Sequence, residues 1–380
     1  MRFALPLLFA LALTARTADP ARAQAPSIDE TAPPPVVEAP VVEAPAVEAP
    51  TVEAWDLEVW SPPFDFESPS QRVRYQPLER ASRPWRICAS YPHLKDSYWL
   101  SVNFGMVEEA RRLGVALRVV EAGGYPNLER QIAQIRDCAA EADVLALGAV
   151  SFDGLSEAVV EIAERIPVVA VVNDIADPGI SAKAAISWVA LAKLIGDYLA
   201  RQHPEGSEPV KVAWFPGPKE SQWAHFVERG FRAGLEASSA EVVVTKWGDT
   251  GREIQLLLIE EALEERADID YIVGSAVTAG AAVSVLRARG LSERIKVLAD
   301  YFTHAVYRGI KRGKIEAAPT DFPALQGRLG IEMAVRVLEG RLDHPHAGPL
   351  IKLVEADSLA ALGQRLSLAP ASFAPTFVVE

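Results

Sequence analysis

The chain has 380 residues, of which 49% are hydrophobic and 23% are charged, so it is long enough to form two globular domains with buried cores. Its formal net charge is −13. This charge argues against nucleic acid or an anionic membrane as the main partner, because both attract clusters of lysine and arginine.

Residues 1–23 predict a signal peptide for export. Arg2 precedes an apolar run from Phe3 to Leu13, and Ala21 and Ala23 form a small-residue cleavage site. The apolar run is shorter than the ~20 residues that a membrane span needs. We therefore expect cleavage near Gln24 and no direct membrane insertion of the mature protein.

Residues 24–83 differ in composition from the rest of the chain. Four Pro-x-Val-Glu-Ala units begin at Pro35, Pro40, Pro45 and Pro50. Proline at this density excludes helix and interior strand, so we expect an acidic, semi-rigid, extended linker. Aromatic residues between 55 and 75 favour an N-terminal extension that docks on the folded body, at a place the sequence does not specify.

From residue 84 onward, strand and helix patterns alternate. In the first half, strands are predicted at 85–90, 115–122, 144–149 and 168–172, with helices at 97–113, 127–139 and 156–164. The pattern then restarts, with strands at 210–215, 241–246, 271–274, 295–299 and 316–320, and helices at 188–201, 221–235, 250–265, 279–289, 303–312 and 323–339. A capping box over 250–253 is predicted to open one of these helices. Apolar strands between helices predict an α/β protein with two doubly wound parallel sheets that face one another across a cleft.

The two cysteines, Cys88 and Cys138, lie on the predicted first strand and second helix. An oxidising compartment permits a disulfide between them. Two buried free thiols are the alternative, since cysteine is often a small core residue.

Motifs for catalysis or for cofactors are scarce. The sequence contains no glycine-rich nucleotide loop, nucleophile elbow, Cys-x-x-Cys or zinc-binding His-Glu-x-x-His. His344 and His346 form the only close histidine pair, which is a weak metal signal, and His93 follows the first strand. We expect no enzyme activity, no cofactor and no metal.

Aromatic and polar residues follow the carboxyl ends of several predicted strands, where doubly wound sheets bind ligands. They are Tyr91, His93, Asp96, Tyr98, Trp99, Tyr125, Asn127, Asn173, Asp174, Trp188, Asp300, Tyr301 and Phe302. Aromatic faces attract quaternary ammonium groups, the carboxylate of Asp96 adds attraction for a cation, and the absence of arginine disfavours an anion. A sugar would also stack on the rings. The residues alone therefore leave a small cationic, zwitterionic or sugar-like solute.

The run from Tyr91 to Ala110, followed by the run from Glu121 to Asn127, closely resembles the trimethylamine N-oxide-sensing members of the type I periplasmic-binding-protein family. The resemblance covers roughly residues 84–354. It implies two doubly wound parallel-sheet lobes joined by a three-strand hinge, a periplasmic location, trimethylamine N-oxide as ligand, and a membrane sensor histidine kinase as partner. The long proline-rich segment has no counterpart in the family pattern.

The resemblance also implies domain bounds and a site. Lobe one would hold 84–173 and 323–342, and lobe two would hold 174–320 and 345–380, with crossings near 173–177, 320–323 and 343–348. The implied ligand-binding residues are Asp96, Trp99, Tyr125, Trp188 and Tyr301. The aromatic rings would surround the methyl groups, while Asp96 would balance the nitrogen charge or, if protonated, donate to the oxide. The choice of oxide donor otherwise stays open among a tyrosine hydroxyl, an indole N–H, a backbone N–H and water.

Three rival functions remain. A sugar-class or methylated-amine receptor for an ABC transporter has the same fold. An enzyme on a two-lobed scaffold is disfavoured by the missing motifs, and a transcription regulator is disfavoured by the export signal and the missing N-terminal helix-turn-helix pattern.

Overall fold

The computed structural model describes residues 52–219 and 221–380. The predicted signal peptide and most of the proline repeat lie outside these residues. Within the described part, no helix has both the length and the apolar character that a membrane crossing requires.

Fifteen strands and ten helices are assigned in the described residues. The strands are β1 Trp55–Trp60, β2 Ser70–Tyr75, β3 Arg86–Tyr91, β4 Ala116–Glu121, β5 Val144–Leu147, β6 Val168–Val172, β7 Ala182–Ala185, β8 Val210–Phe215, β9 Ala240–Thr245, β10 Tyr271–Gly274, β11 Lys296–Ala299, β12 Ala318–Thr320, β13 His346–Pro349, β14 Lys352–Val354 and β15 Val378–Val379. The helices are α1 Ser97–Leu113, α2 Leu128–Ala139, α3 Ser156–Ala163, α4 Trp188–Gln202, α5 Gln222–Gly234, α6 Arg252–Glu265, α7 Ala276–Ala288, α8 His304–Lys311, α9 Pro323–Leu338 and α10 Gln364–Ser367.

The larger sheet has nine strands in the order β15-β4-β3-β5-β6-β7-β13-β1-β2. Its centre is parallel, from β4 through β13. Every residue of β5 and β6 is buried, as expected for apolar strands covered on both faces. Helices α1 and α9 pack on this sheet and on each other very closely, since a Cβ at Gly105 would lie 1.9 Å from the Ala324 carbonyl oxygen. We call this sheet with its helices the large-sheet lobe.

The smaller sheet has four parallel strands in the order β11-β10-β8-β9. Helices α4 and α5 pack tightly together beside it, and α6, α7 and α8 form a second contacting group. We call this sheet with its helices the small-sheet lobe. The two sheets confirm the predicted α/β class with two doubly wound units.

The chain crosses between the lobes at places that differ in part from the expected ones. After β6 it loops back as β7, which pairs with β6 and β13, so the first crossing lies at 186–187 and not near 173–177. The third crossing follows β13 at 350–351 and not at 343–348, because His346–Pro349 is hydrogen-bonded into the large sheet. The second crossing lies between β12, which ends at Thr320, and α9, which begins at Pro323.

Both ends of the described chain add strands to the large sheet. Strands β1 and β2 form a hairpin that pairs through β1 with β13, which gives the aromatic N-terminal extension its docking place. The tail was expected in lobe two, but its last strand β15 pairs with β4. The amide of Asn103 on α1 also bonds both backbone groups of Thr376, at 2.9 and 3.0 Å. These long-range pairings leave no local pattern in the sequence.

Two local expectations are decided by the structure. Cys88 and Cys138 form a disulfide between β3 and α2, with a Cα–Cα distance of 5.9 Å. The capping box at 250–253 is wrong, because Gly251 caps α6 and no side chain bonds its first turn. The side chain of Gln255 instead bonds the carbonyls of Gly248 and Asp249 and organises this loop.

Candidate ligand-binding site

A cavity lies between the two lobes at the carboxyl ends of both sheets. It is lined by His93, Asp96, Tyr98, Trp99, Tyr125, Asn173, Trp188, Trp223, Thr250 and Tyr301. The centre of a water-sized sphere can move over about 20 Å³ of it, slightly more than the ~10–15 Å³ that one water needs. The enclosed space therefore suits a compact solute.

The structure brings all five sequence-predicted site residues to this cavity. Asp96 and Trp99 lie at the start of α1, and Tyr125 lies in the loop between β4 and α2. Trp188 is the first residue of α4, and Tyr301 follows β11. Each position comes from a strand end or a helix start at the same mouth, so the five residues that the resemblance implies are also among those that the carboxyl-end rule gathers.

Six aromatic side chains surround the cavity, and we call them the cage. They are Tyr98, Trp99, Tyr125, Trp188, Trp223 and Tyr301, each less than a tenth exposed. The Tyr98 ring lies 6.0 Å from Trp99 and 5.3 Å from Tyr301. The Trp223 ring lies 5.7 Å from Trp188, 6.0 Å from Tyr125 and 6.2 Å from Tyr301. These spacings are typical of interacting aromatic pairs.

Sequence reasoning missed Trp223 as a site residue and gave Tyr98 no role of its own. Trp223 is the second residue of α5, the helix that follows β8. Trp99 has almost the same place on α1 after β3. The carboxyl-end rule, applied to β8 as it was to β3, would have found Trp223.

Asp96 caps helix α1 while lining the cavity. Its Oδ1 accepts the backbone N–H groups of Tyr98 at 2.9 Å and Trp99 at 3.2 Å. A carboxylate in this position is a favourable acceptor for the unpaired N–H groups at the start of a helix. The arrangement supports Asp96 as a counter-charge for a cation, one of the two roles that the resemblance implies.

Several polar groups of the cage are held by the protein. The Trp188 indole N–H donates to the Val172 carbonyl at 3.2 Å, and the Tyr98 hydroxyl donates to Asp321 at 2.5 Å. Val172 has a positive φ of 67°, which is strained for a β-branched residue. The carbonyl of this strained residue therefore accepts the hydrogen bond that holds the Trp188 ring in place.

The cage hydroxyls and the nearby histidine are uncharged at neutral pH. Burial raises the pKa of Tyr98, Tyr125 and Tyr301. Burial also lowers the pKa of His93. Among the described residues that line the cavity, the only formal charge is consequently the Asp96 carboxylate, and this single negative charge among aromatic faces favours a cationic or zwitterionic solute.

Three cavity-lining residues carry buried polar atoms that find no hydrogen-bond partner in the described structure. They are Trp223 through Nε1, Thr250 through Oγ1, and His93 through both ring nitrogens. Such orphaned groups are few in folded proteins. Across residues 52–219 and 221–380, no cluster of histidine, cysteine and carboxylate residues could hold a metal ion.

Comparisons with known proteins agree with this architecture. The periplasmic binding protein domain family matches residues 87–342. The periplasmic protein TorT of Escherichia coli K12 is 38% identical over 304 residues, which cover 79% of this chain and 86% of TorT. The TorS sensor domain–TorT complex solved in the presence of TMAO contains a chain that is 37% identical, with a TM-score of 0.71, over 77% of this chain and 99% of that chain.

A third relative is a solved ABC transporter solute binding protein from Bradyrhizobium sp. BTAi1, with bound Bis-Tris. It is 45% identical with a TM-score of 0.75, and the match covers 85% of this chain and 98% of that chain. The family and fold expected from the sequence resemblance are thereby confirmed. The chain is a periplasmic protein that belongs to the periplasmic-binding-protein family and is a relative of TorT.

Proposed function

We propose that this protein is a periplasmic sensor that binds trimethylamine N-oxide and regulates a TorS-like sensor histidine kinase, inducing trimethylamine N-oxide respiration. One observation carries the proposal: six aromatic rings and the Asp96 carboxylate surround a small cavity, in which the centre of a water-sized sphere can move over only about 20 Å³. Trimethylamine N-oxide is compact, and its positive nitrogen is covered by methyl groups.

The cage chemistry fits that ligand. Each aromatic face contributes about 0.5–2 kcal/mol to the binding of a methylated cationic nitrogen. A pentose is much larger and carries several hydroxyls, each of which needs a polar partner once buried. The enclosed volume and the aromatic lining therefore favour the methylated amine over the sugar.

The position of the cavity suits a signalling role. Asp96, Trp99 and Tyr125 belong to the large-sheet lobe, and Trp223 and Tyr301 belong to the small-sheet lobe. A ligand that contacts both lobes favours the arrangement in which they meet, through its differential affinity for the two arrangements. Solved TorS sensor domain–TorT complexes without ligand and with TMAO support a kinase sensor domain as the partner, and family membership supports binding without catalysis.

Calorimetry on the mature protein tests the ligand. We expect one site selective for trimethylamine N-oxide over trimethylamine, betaine, choline and ribose. Binding of another methylated amine alone would keep the cage and replace the ligand. Binding of ribose alone would overturn the proposal.

A second candidate function is a receptor that delivers a methylated amine or a sugar-class solute to an ABC transporter. The 45% identity to the Bradyrhizobium solute binding protein favours it. A pull-down with the periplasmic domain of the TorS-like kinase separates the two functions. Ligand-responsive association supports the sensor, whereas saturable ligand binding with no association at any ligand concentration supports the receptor.

A further inference from the structure

We propose that the small-sheet lobe recognises the oxide oxygen of the ligand, with the Trp223 indole N–H and the Thr250 hydroxyl as its two hydrogen-bond donors. This inference rests on the proposed function and deepens it. It assigns to two residues the discrimination between an amine N-oxide and a quaternary ammonium ion of the same shape.

Trp223 has the geometry of a donor reserved for a ligand. Its side chain is 6% exposed and lines the cavity, yet Nε1 has no acceptor among the described residues. An indole N–H can only donate, and leaving it buried and unpaired costs about 1–3 kcal/mol. An acceptor on the ligand would remove that cost.

Thr250 supplies a second donor from the same lobe. It is 5% exposed, it lines the cavity, and Oγ1 has no partner within the described structure. The residue is held in place through its backbone, whose N–H donates to Asp249 Oδ1 at 2.9 Å. Since Gly251 caps α6, the hydroxyl is free from the capping role that its sequence predicts.

Two other donors of the cage already have a protein acceptor. The Trp188 N–H bonds the Val172 carbonyl, and the Tyr98 hydroxyl bonds Asp321. The Asn173 amide donates to the Tyr125 hydroxyl at 3.2 Å and to the Ala149 carbonyl at 2.8 Å. The Trp188 N–H and the Tyr98 hydroxyl would therefore have to leave a protein acceptor before either could meet an oxide.

The third cavity-lining residue with unpaired polar atoms is His93, and the charge of Asp96 makes it a poorer oxide donor than Trp223 or Thr250. His93 lies on the same loop as Asp96, three positions before it. The oxide carries negative charge, so it is repelled by the Asp96 carboxylate that attracts the nitrogen. The dipole of the ligand is therefore best aligned with its nitrogen toward Asp96 and its oxygen toward the opposite, small-sheet lobe.

One acidic residue lies beside the proposed oxide position. Asp249 adjoins Thr250, but its Oδ2 forms an ion pair with Lys95 at 3.4 Å and its Oδ1 accepts the Thr250 N–H. Both oxygens are thus directed to cationic or N–H groups, which reduces their repulsion of the oxide.

The test compares trimethylamine N-oxide with tetramethylammonium, in which a methyl group replaces the oxide. Calorimetry is performed on the wild-type mature protein and on Thr250→Val. We expect Thr250→Val to weaken N-oxide binding by about ten- to a hundredfold and tetramethylammonium binding by less than about twofold, because one hydrogen bond to a charged acceptor is worth about 1.5–3 kcal/mol. Thr250→Ser, which keeps the hydroxyl, should bind as the wild type does.

Trp223→Phe and Trp188→Phe are a matched pair. Both reduce the aromatic surface, but only Trp223 loses an N–H that has no acceptor within the described residues. We expect Trp188→Phe to weaken both ligands by the same factor, and Trp223→Phe to weaken the N-oxide at least fivefold more than tetramethylammonium. If Trp223→Phe fails to fold, the Thr250 variants decide the question.

The outcomes separate the inference from the function beneath it. If the wild type binds both ligands and every variant keeps their affinity ratio, the oxide assignment is overturned while the cage stands. A wild type that binds tetramethylammonium as tightly as the N-oxide would overturn the assignment in the same way. If the wild type binds neither ligand, the proposed function fails and the inference fails with it.

Discussion

Two aromatic clusters of this protein look alike in composition and differ in what they surround. The cage encloses a cavity between the lobes. The second cluster, which we call the hinge cluster, consists of Trp60, Phe64 and Phe66 from the N-terminal hairpin, packed around His346 of β13 beside Lys183 of β7. One cluster surrounds space for a solute, and the other surrounds a side chain of the protein itself.

The hinge cluster is tightly packed. The His346 ring lies 4.5 Å from both Trp60 and Phe66, and its Nδ1 accepts the Phe64 backbone N–H at 3.0 Å. The adjoining Lys183 ammonium bonds Asp174 at 2.6 Å. Aromatic density alone therefore does not mark a binding site. The cage is distinguished by its cavity and by the donors of its small-sheet wall.

The largest expected effect is in the hinge cluster, where Lys183→Met should lower the free energy of unfolding by about 3–5 kcal/mol at neutral pH. Lys183 is 1% exposed and neutralises the largely buried Asp174 carboxylate. Urea unfolding measures the loss. Burial raises the pKa of Asp174, so the loss should shrink as the pH falls and that carboxylate becomes protonated.

A matched double variant checks this explanation. Lys183→Met combined with Asp174→Asn removes the stranded charge and should recover part of the lost stability. A single variant that loses less than 1 kcal/mol would contradict the assignment of a strong buried pair.

The next largest expected effect is on how the free energy of unfolding depends on pH. Burial and the nearby Lys183 charge lower the pKa of His346 to about 3, from an ordinary value of 6.5. The folded pKa is the lower one, so the unfolded chain takes up the proton first as the pH falls. The free energy of unfolding is therefore unaffected by this histidine above pH 6.5. Below pH 6.5 it decreases by about 1.4 kcal/mol per pH unit, or about 3 kcal/mol by pH 4.

His346→Gln tests this dependence, since the glutamine carbonyl can still accept the Phe64 N–H. The measurement is the difference in unfolding free energy between wild type and variant at several pH values. We expect the difference to shift in favour of the variant as the pH falls below 6.5. A difference that is constant with pH would rule out a buried neutral His346.

A smaller effect is expected for a substitution in the cage, and it is an effect on ligand affinity. Trp99→Ala removes one face of the cage and should weaken trimethylamine N-oxide binding by about 1–3 kcal/mol. Calorimetry measures the affinity, after circular dichroism establishes that the variant is folded at the temperature of the titration. Lys183→Met serves as the contrast, because the hinge cluster does not line the cavity. Near-wild-type affinity in Trp99→Ala would remove that residue from the site.

The same comparison of the two clusters shows which features of the structure can be predicted from the sequence. Periodicity predicts α1 over 97–113, the bounds that the structure shows, and the carboxyl-end rule collects all five predicted site residues, because both depend on local pattern. The hinge cluster has no such pattern. Phe64 meets His346 only because β1 pairs with β13, a contact between distant parts of the chain. The crossings at 186–187 and 350–351 escape prediction for the same reason, since backbone pairing of β7 and β13 decides them.

The smallest expected effect concerns a second Lys–Asp pair, which lies near the cage and corresponds to the Lys183–Asp174 pair of the hinge cluster. Lys95 and Asp249 join the two lobes at the cavity mouth, with 3.4 Å between Nζ and Oδ2, but the Lys95 side chain is 43% exposed. Exposed pairs contribute about 0–1 kcal/mol, so Lys95→Met should change the unfolding free energy by less than 1 kcal/mol. It should weaken trimethylamine N-oxide binding at most about fivefold, and high salt should erase the difference, because salt screens exposed charges. A loss as large as that of Lys183→Met would show that burial does not distinguish these two Lys–Asp pairs.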